Sequence, residues 1–309
     1  MRLQIAVIAT LLTLLIATDI AYGASAIDIG VPSSYALSAQ AQAVDNGSNS
    51  VGVSGSVTIV HSGGNTYVTV PTLAADNTSL YYLNDASSGI LYRNHTMYLP
   101  IRYGGVWAGD MILATDNMTC KDGKFQGLVT GEELDTADVS SGDKSNASAA
   151  ATIYLNNMPE AATYHIAIIK NDTISKAVMA GGAQGQDIGL MLSISGFRSG
   201  DTSSIGNVIV RMKIDGTDPN VAIYQVTSGA EKLDTHAAMN GSGTITAEAM
   251  SSGPGAYVLT GKNFKSPYPP GPGILDILIF AIIIAVLIVA LLIVFRNLRR
   301  KQRKNKNKK

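Results

Sequence analysis

Cysteine occurs once in 309 residues, at Cys120. A disulfide framework within one chain is therefore excluded, and the fold has to rest on hydrophobic cores. Cys120 itself is open to two readings: a small buried hydrophobe, or a thiol that pairs between two chains. Histidine is scarce as well. His61, His95, His165 and His236 show no H-x-x-x-H or H-E-x-x-H spacing, so no local metal site is expected. There is no G-x-S-x-G elbow, and no glycine-rich phosphate loop leads from a strand into a helix. Gly181-Gly182-Ala183-Gln184-Gly185-Gln186 reads as a loop. These absences favour a protein without a cofactor and without enzymatic activity. Amphipathic helices are also missing from the reading, apart from the two terminal apolar segments.

What the chain does have is one long apolar run. Residues 277–295 are nineteen consecutive apolar residues, sixteen of them Ile, Leu, Val or Phe. As a helix the run is about 28 Å long, enough to cross the hydrocarbon of a bilayer. It stops at the tail RNLRRKQRKNKNKK, which holds nine Lys or Arg and no acid. The positive-inside rule puts that tail, 296–309, in the cytoplasm and everything before the 274–295 helix outside. The N-terminus fits the same topology. Arg2 precedes an apolar stretch at 5–17, Asp19 breaks it, and Ala21-Tyr22-Gly23 or Ala24-Ser25-Ala26 supplies small residues for cleavage. Residues 1–23 read as a secretory signal peptide. The expected localisation is the cell membrane, single-pass, with the N-terminal ectodomain outside.

The formal net charge of zero conceals a separation. The tail carries about +9 and the ectodomain about −8 by residue counting. An acidic exterior excludes nucleic acid as an expected partner. The tail suits anionic lipid head groups, so the first partner is the bilayer. Ala281 and Ala285 form a small-x-x-x-small step that would let the helix support a homo-oligomer. Seven N-x-S/T sequons, at Asn46, Asn77, Asn94, Asn117, Asn146, Asn171 and Asn240, all precede the apolar run. They are the glycosylation candidates, expected mostly on exposed turns.

The ectodomain reads as all-β. Val51, Val53, Val57 and Ile59 alternate with Ser54, Ser56 and Thr58. The same period recurs at Tyr164–Ile166–Ile168, Ile188–Leu190–Leu192–Ile194, Val208–Val210–Met212–Ile214 and Ile245–Ala247–Ala249. Turn signals separate the runs, among them Ser62-Gly63-Gly64-Asn65, Lys121-Asp122-Gly123-Lys124 and Asp215-Gly216. Many short strands with polar turns imply sandwiches or small barrels. The polar stretch 136–148 suggests a boundary. The expected architecture is two β-sandwich-like ectodomains, 27–138 and 146–263, then a proline-rich stalk at 264–273 and a single C-terminal transmembrane helix.

Near the end of the second part a series of strands stands out: Val221-Ala222-Ile223-Tyr224-Gln225-Val226, Ile245-Thr246-Ala247-Glu248-Ala249, and Gly255-Ala256-Tyr257-Val258-Leu259. Over residues 221–259 this resembles the closing strands of β-sandwich modules on archaeal, methanogen-type cell-surface and S-layer-associated proteins, which precede a C-terminal anchor. Pro272-Gly273-Ile274 stands where that family's Pro-Gly-Phe sorting signal would be. The resemblance implies an envelope role through association with the surface layer or cell wall, adhesion, or contact with a neighbouring envelope protein.

Two alternatives remain. Tyr81, Tyr82, Tyr92, Tyr98, Tyr103 and Trp107 fall close together, with Arg93, Arg102 and Asp110 among them. Sugar rings stack on aromatic faces, so these six are glycan-binding candidates. The plainer reading is that aromatics fill strands. A membrane-tethered hydrolase assembled from distant residues is the third hypothesis. The acidic cluster Glu132-Glu133-Leu134-Asp135 reads as solvent-facing, and Asp215-Gly216-Thr217-Asp218-Pro219 as a turn rather than a calcium loop.

Overall fold

Between Val208 and Ile214 the side chains of Val208, Val210, Met212 and Ile214 are buried, while Arg211 is exposed and Lys213 half-buried. That is the pleat expressing a period-2 sequence, and it recurs through the molecule. The computed structural model describes residues 26–30, 32–44, 49–141, 147–156, 163–197 and 205–265. The signal peptide, the 266–273 part of the stalk, the transmembrane helix with Ala281 and Ala285, the basic tail, Asn46 and Asn146 lie outside the described residues.

The strands in chain order are β1 (Ala26–Gly30), β2 (Ser34–Val44), β3 (Asn49–Ser62), β4 (Asn65–Pro71), β5 (Ser79–Asp85), β6 (Ile90–Arg93), β7 (Thr96–Tyr103), β8 (Val106–Thr115), β9 (Thr119–Lys121), β10 (Lys124–Thr136), β11 (Val139–Ser140), β12 (Ser148–Leu155) and β13 (Thr163–Ile168). A helix, α1 (Asp172–Ala180), follows. Then come β14 (Asp187–Phe197), β15 (Ile205–Asp215), β16 (Ala222–Val226), β17 (Ala230–Lys232), β18 (Thr235–Met239), β19 (Thr244–Ser251) and β20 (Gly255–Gly261). They form one sheet of fourteen strands and one of six, in a sandwich-like arrangement.

Part of the larger sheet closes on itself. β3 pairs with β2 and β4, and β2 continues through β5, β6 and β7 to β8. β10 joins the two ends of that ribbon. Its residues 124–128 pair with β4 and its residues 129–136 with β8, with a register shift between Val129 and Gly131. The irregularity lies within the β8 ladder, on the edge of β10 opposite to β4, where a bulge bends the strand. Val57, Val68, Leu83, Met97, Leu113 and Phe125 fill the interior, each fully buried. Burial of a side chain of that size contributes about 1.5–3 kcal/mol.

The edge of β10 that holds β4 carries the chain onward. Glu132–Asp135 pair with Leu155–Thr152 of β12. From there the sheet runs through β15 and β19 to β18. The polar segment 136–148 expected to divide two domains therefore connects two strands that hydrogen-bond to each other. The parts on either side share a sheet, and contacts group the described residues into one compact unit. Among the described residues of that segment Thr136, Val139, Ser141 and Ala147 are buried, and Val139 and Ser140 form β11, paired with β12.

The six-stranded sheet runs β1-β13-β14-β20-β16-β17. Its central strands are buried on both faces. Leu190 and Leu192 of β14, Leu259 of β20 and Ile223 of β16 have no or almost no exposure, and so do Met191, Val258 and Tyr224 on the alternate positions. The second set packs with Val178 and Ala183 in a cluster flanked by Ile174 and Met179. Helix α1 thus supplies the cover for one face, which corrects the expectation of no helix here. Asn171 caps it, its side-chain oxygen accepting from the N–H groups of Thr173 and Ile174 at 2.9 and 3.2 Å. Nine residues are too few for a clear helical period, but Asn at the start, Asp172 in the first turn and Gly181 at the end are start and stop signals.

The β-body continues past β20. Phe264 bridges to Gly216, and the N–H of Lys265 donates to the carbonyl of Asp215 at 2.9 Å. The Phe264 ring occupies a hollow where a Cβ on Gly189 or Gly261 would collide with it. The chain is therefore latched beside the end of β15 up to the last described residue.

Candidate functional site

The six aromatic candidates do not assemble into one surface. Tyr92 is 1 % exposed, and its ring lies in the interior on the row Leu83–Tyr92–Met97. Burial pushes its phenol above the ordinary range. Tyr98 is half-buried on the opposite face, and Arg93 sits 5.7 Å from its ring centre, a cation–π distance. Tyr82 shares that face by its register with Arg93. Tyr81 is 65 % exposed because the β2–β5 ladder skips a residue there: Gln42 pairs with Tyr82 and Ala43 with Leu80. The bulge allows Leu80 and Leu83 both to be buried, which strict alternation forbids.

Tyr103 and Trp107 belong to a different place, the hairpin joining β7 to β8. Tyr103 pairs with Val106 and Arg102 with Trp107 around Gly104-Gly105. Both glycines have positive φ, +58° and +84°, as a two-residue hairpin turn of the primed type requires. Trp107 donates its indole N–H to Oδ1 of Asp110 at 3.1 Å. Val106, absent from the aromatic reading, is the most exposed large side chain of this tip at 69 %. The Gly-Gly pair between two β-type runs was the available signal for it.

The five described sequon asparagines are all exposed: Asn77, Asn94, Asn117, Asn171 and Asn240. Asn77 and Asn94 adopt positive φ, which asparagine tolerates in turns. Asn240 organises the β18–β19 turn, its side-chain oxygen accepting from the N–H groups of Ser242 and Thr244. At Asn171 and Asn240 the oxygen of the amide makes the capping bonds and leaves the nitrogen that would carry a glycan out of them, whereas the Asn117 nitrogen donates to Oγ of Ser79 at 3.4 Å.

Cys120 is 2 % exposed and donates to the carbonyl of Ala74 at 3.4 Å. Burial, followed by the charge of Asp76, pushes the thiol up. It faces inward opposite Phe125, so the reading as an intermolecular thiol is corrected to that of a core residue. His165 lies half-exposed on β13 with Nδ1 2.6 Å from Oδ1 of Asp28 on β1, tying the first strand to the sheet. Glu133 and Asp135 stand on the face of the sheet that also carries Tyr154. Burial and then Asp135 raise the Glu133 carboxyl above its usual range. Asp218 closes a turn by accepting from the Asn220 backbone and side chain, and Asp215 accepts from Thr244 at 3.0 Å. Among the described residues no group of three His, Cys, Asp or Glu could hold a metal ion, and no described helix is long and apolar enough to cross a membrane.

The strands that carry the family resemblance divide between the sheets: β16 and β20 pair in the smaller sheet, and β19 lies in the larger. Tyr257, buried in β20, bonds back to the carbonyl of Gly253 and to the hydroxyl of Ser251, the latter at 2.7 Å. A tyrosine hydroxyl bonded to backbone just upstream is a corner device of sandwich folds. Comparison with protein-family models, curated proteins and solved structures finds no match to this chain.

Proposed function

We propose that this chain is a structural, single-pass and glycosylated cell-envelope protein that displays a rigid β-body outside the membrane. The observation that carries the reading is the exposure of every described sequon, on a body followed in sequence by an apolar run and a wholly basic tail. Glycans at Asn77, Asn94, Asn117, Asn171 and Asn240 would extend from turns without disturbing the sheets. The function is contact: the body meets a surface-layer or cell-wall polymer, or a neighbouring envelope protein, and the basic tail holds the inner leaflet. An archaeal envelope accommodates this design, since glycosylation occurs without internal disulfides. A six-ring glycan platform receives no support from the positions of the rings, because Tyr92 is interior and the other five are spread over separate faces. Glycopeptide mass spectrometry on protein from native membranes tests the proposal. Occupied sequons in the membrane fraction are expected. Full-length protein recovered from the soluble fraction with all five asparagines unmodified would contradict it.

A further inference from the structure

The β7–β8 tip presents an apolar cluster at a particular end of the molecule. Tyr103, Val106 and Trp107 are 46, 69 and 48 % exposed, and the polar edge of the indole is already occupied by Asp110. What remains open on Trp107 is chiefly hydrocarbon. Arg102 is the one charged residue from 102 to 107. Monomeric folds leave such clusters at interaction sites.

Register places the tip relative to the chain's exit. Gly109 pairs with Thr136, Asp135 with Thr152, Ser148 with Lys213 and Asp215 with Thr244. Reading across β8, β10, β12 and β15, the hairpin tip and Asp215 lie at the same end of the sheet. Lys265, bonded to Asp215, is where the described chain leaves toward residues 277–295. Asn94, between β6 and β7, and Asn117, between β8 and β9, lie at the opposite end. Asn77 joins them through its N–H bond to Cys120. Asn240 shares the exit end, but on the β18–β19 turn, about 20 Å away across four strand spacings.

The geometry points to the bilayer as the partner of this tip: Tyr103, Val106 and Trp107 rest in the lipid head-group region. This inference rests on the anchored reading of residues 274–295. Eight residues, 266–273, separate Lys265 from Ile274, a span of at most about 32 Å over nine steps. The exit end is therefore held close to the membrane, and the sequons Asn77, Asn94 and Asn117 belong to the far end. Tryptophan and tyrosine partition to the head-group level, where their rings meet acyl chains and their polar edges meet water. Arg102 complements anionic phosphate there. A sugar ring could use the same indole, but it would give no reason for the cluster to share an end with the exit.

Trp107 is the only tryptophan in the chain, so intrinsic fluorescence reports this tip alone. The full chain is reconstituted in vesicles containing anionic lipid, with flotation measured in parallel. The inference expects flotation, loss of emission with a spin-labelled lipid whose quencher sits near the head group, and loss of iodide quenching relative to detergent-free unfolded chain. Val106→Asp should restore iodide quenching and remove the lipid quenching while leaving flotation and circular dichroism unchanged. If the chain floats but Trp107 is quenched by iodide and not by lipid, the inference is overturned and the anchor stands. A response of that water-exposed Trp107 to oligosaccharide would then assign the tip to sugar. If the chain fails to float, the anchored reading falls first and the inference with it.

Discussion

Gly109→Ala tests the seam that closes the β-ring. Gly109 has φ +149°, a conformation that costs an L side chain about 1–3 kcal/mol. It follows Ala108, the extra residue where the β7–β8 ladder shifts register. A Cβ here would press on the carbonyl oxygen of Asp135 and lie 3.0 Å from Cα of Thr136. Both belong to the β10 backbone, so no side chain can swing away to make room. Relief requires β8 to draw back from β10, weakening ladder bonds there, including the 2.8 Å bond from the N–H of Ala137 to Ala108. Two such bonds at about 0.5–1.5 kcal/mol each bring the expected loss to about 2–6 kcal/mol. Gly131→Ala on the same seam is the control. Its Cβ would meet Ala114 at 3.6 Å, ordinary contact, and its φ is not positive. It should be neutral or stabilise by up to about 1 kcal/mol. Urea unfolding of the full chain in detergent, followed by circular dichroism, reads both. A Gly109→Ala variant within about 0.5 kcal/mol of the parent, well inside the range of an ordinary surface change, would refute the described seam.

Three further outcomes follow from buried hydroxyls and a capped helix. Tyr257→Phe strips the bonds to Ser251 and Gly253 and should cost about 1–2 kcal/mol in urea unfolding, whereas Tyr35→Phe removes a buried hydroxyl without a partner and should be neutral or stabilising. Burial pushes the Tyr257 phenol up to about 12. The unfolded chain then ionises this group from about pH 10 while the folded chain keeps its proton, so its contribution is complete below pH 10 and fades as pH rises toward 12. Over that window stability should fall by up to about 1.4 kcal/mol per pH unit from Tyr257, Tyr35 shifts in the same direction, and Tyr257→Phe should flatten the slope. Asn171→Asp removes the sequon but keeps a capping oxygen and should preserve the melting temperature, while Asn171→Ala should cost about 1 kcal/mol; equal loss in both would argue against the cap.

The strands were the most legible part of this fold because alternation is local. The runs read around 51–59, 164–168, 188–194, 208–214 and 245–249 all lie in strands of the structure, and Gly63, Gly64, Asp122 and Gly123 take the positive φ values their turns need. Pairing was not legible. β10 changes neighbour halfway along its length, and nothing in Lys124–Thr136 alone announces that it closes a ring with β4 and β8 and then extends the sheet to β12. The polar 136–148 stretch read as a linker, yet Thr136, Val139, Ser141 and Ala147 within it are buried, and polarity alone does not separate a domain linker from a connection within one sheet. Strand runs covered on both faces lose their alternation, as Leu190-Met191-Leu192 shows, and the covering helix is too short to show a period of its own. At the candidate site, proximity in sequence gathered Tyr92 with Trp107. A core strand and an exposed hairpin separate them.

The orientation of the chain is tested most directly by labelling lysines on sealed cells with a membrane-impermeant amine reagent, followed by peptide mass spectrometry. Lys121, Lys124, Lys170 and Lys176 are exposed on the β-body. They should react from outside, while Lys301, Lys304, Lys306, Lys308 and Lys309 stay unmodified until the cells are permeabilised. Reaction of those five tail lysines in sealed cells, with the body lysines silent, would contradict the anchored display of the β-body.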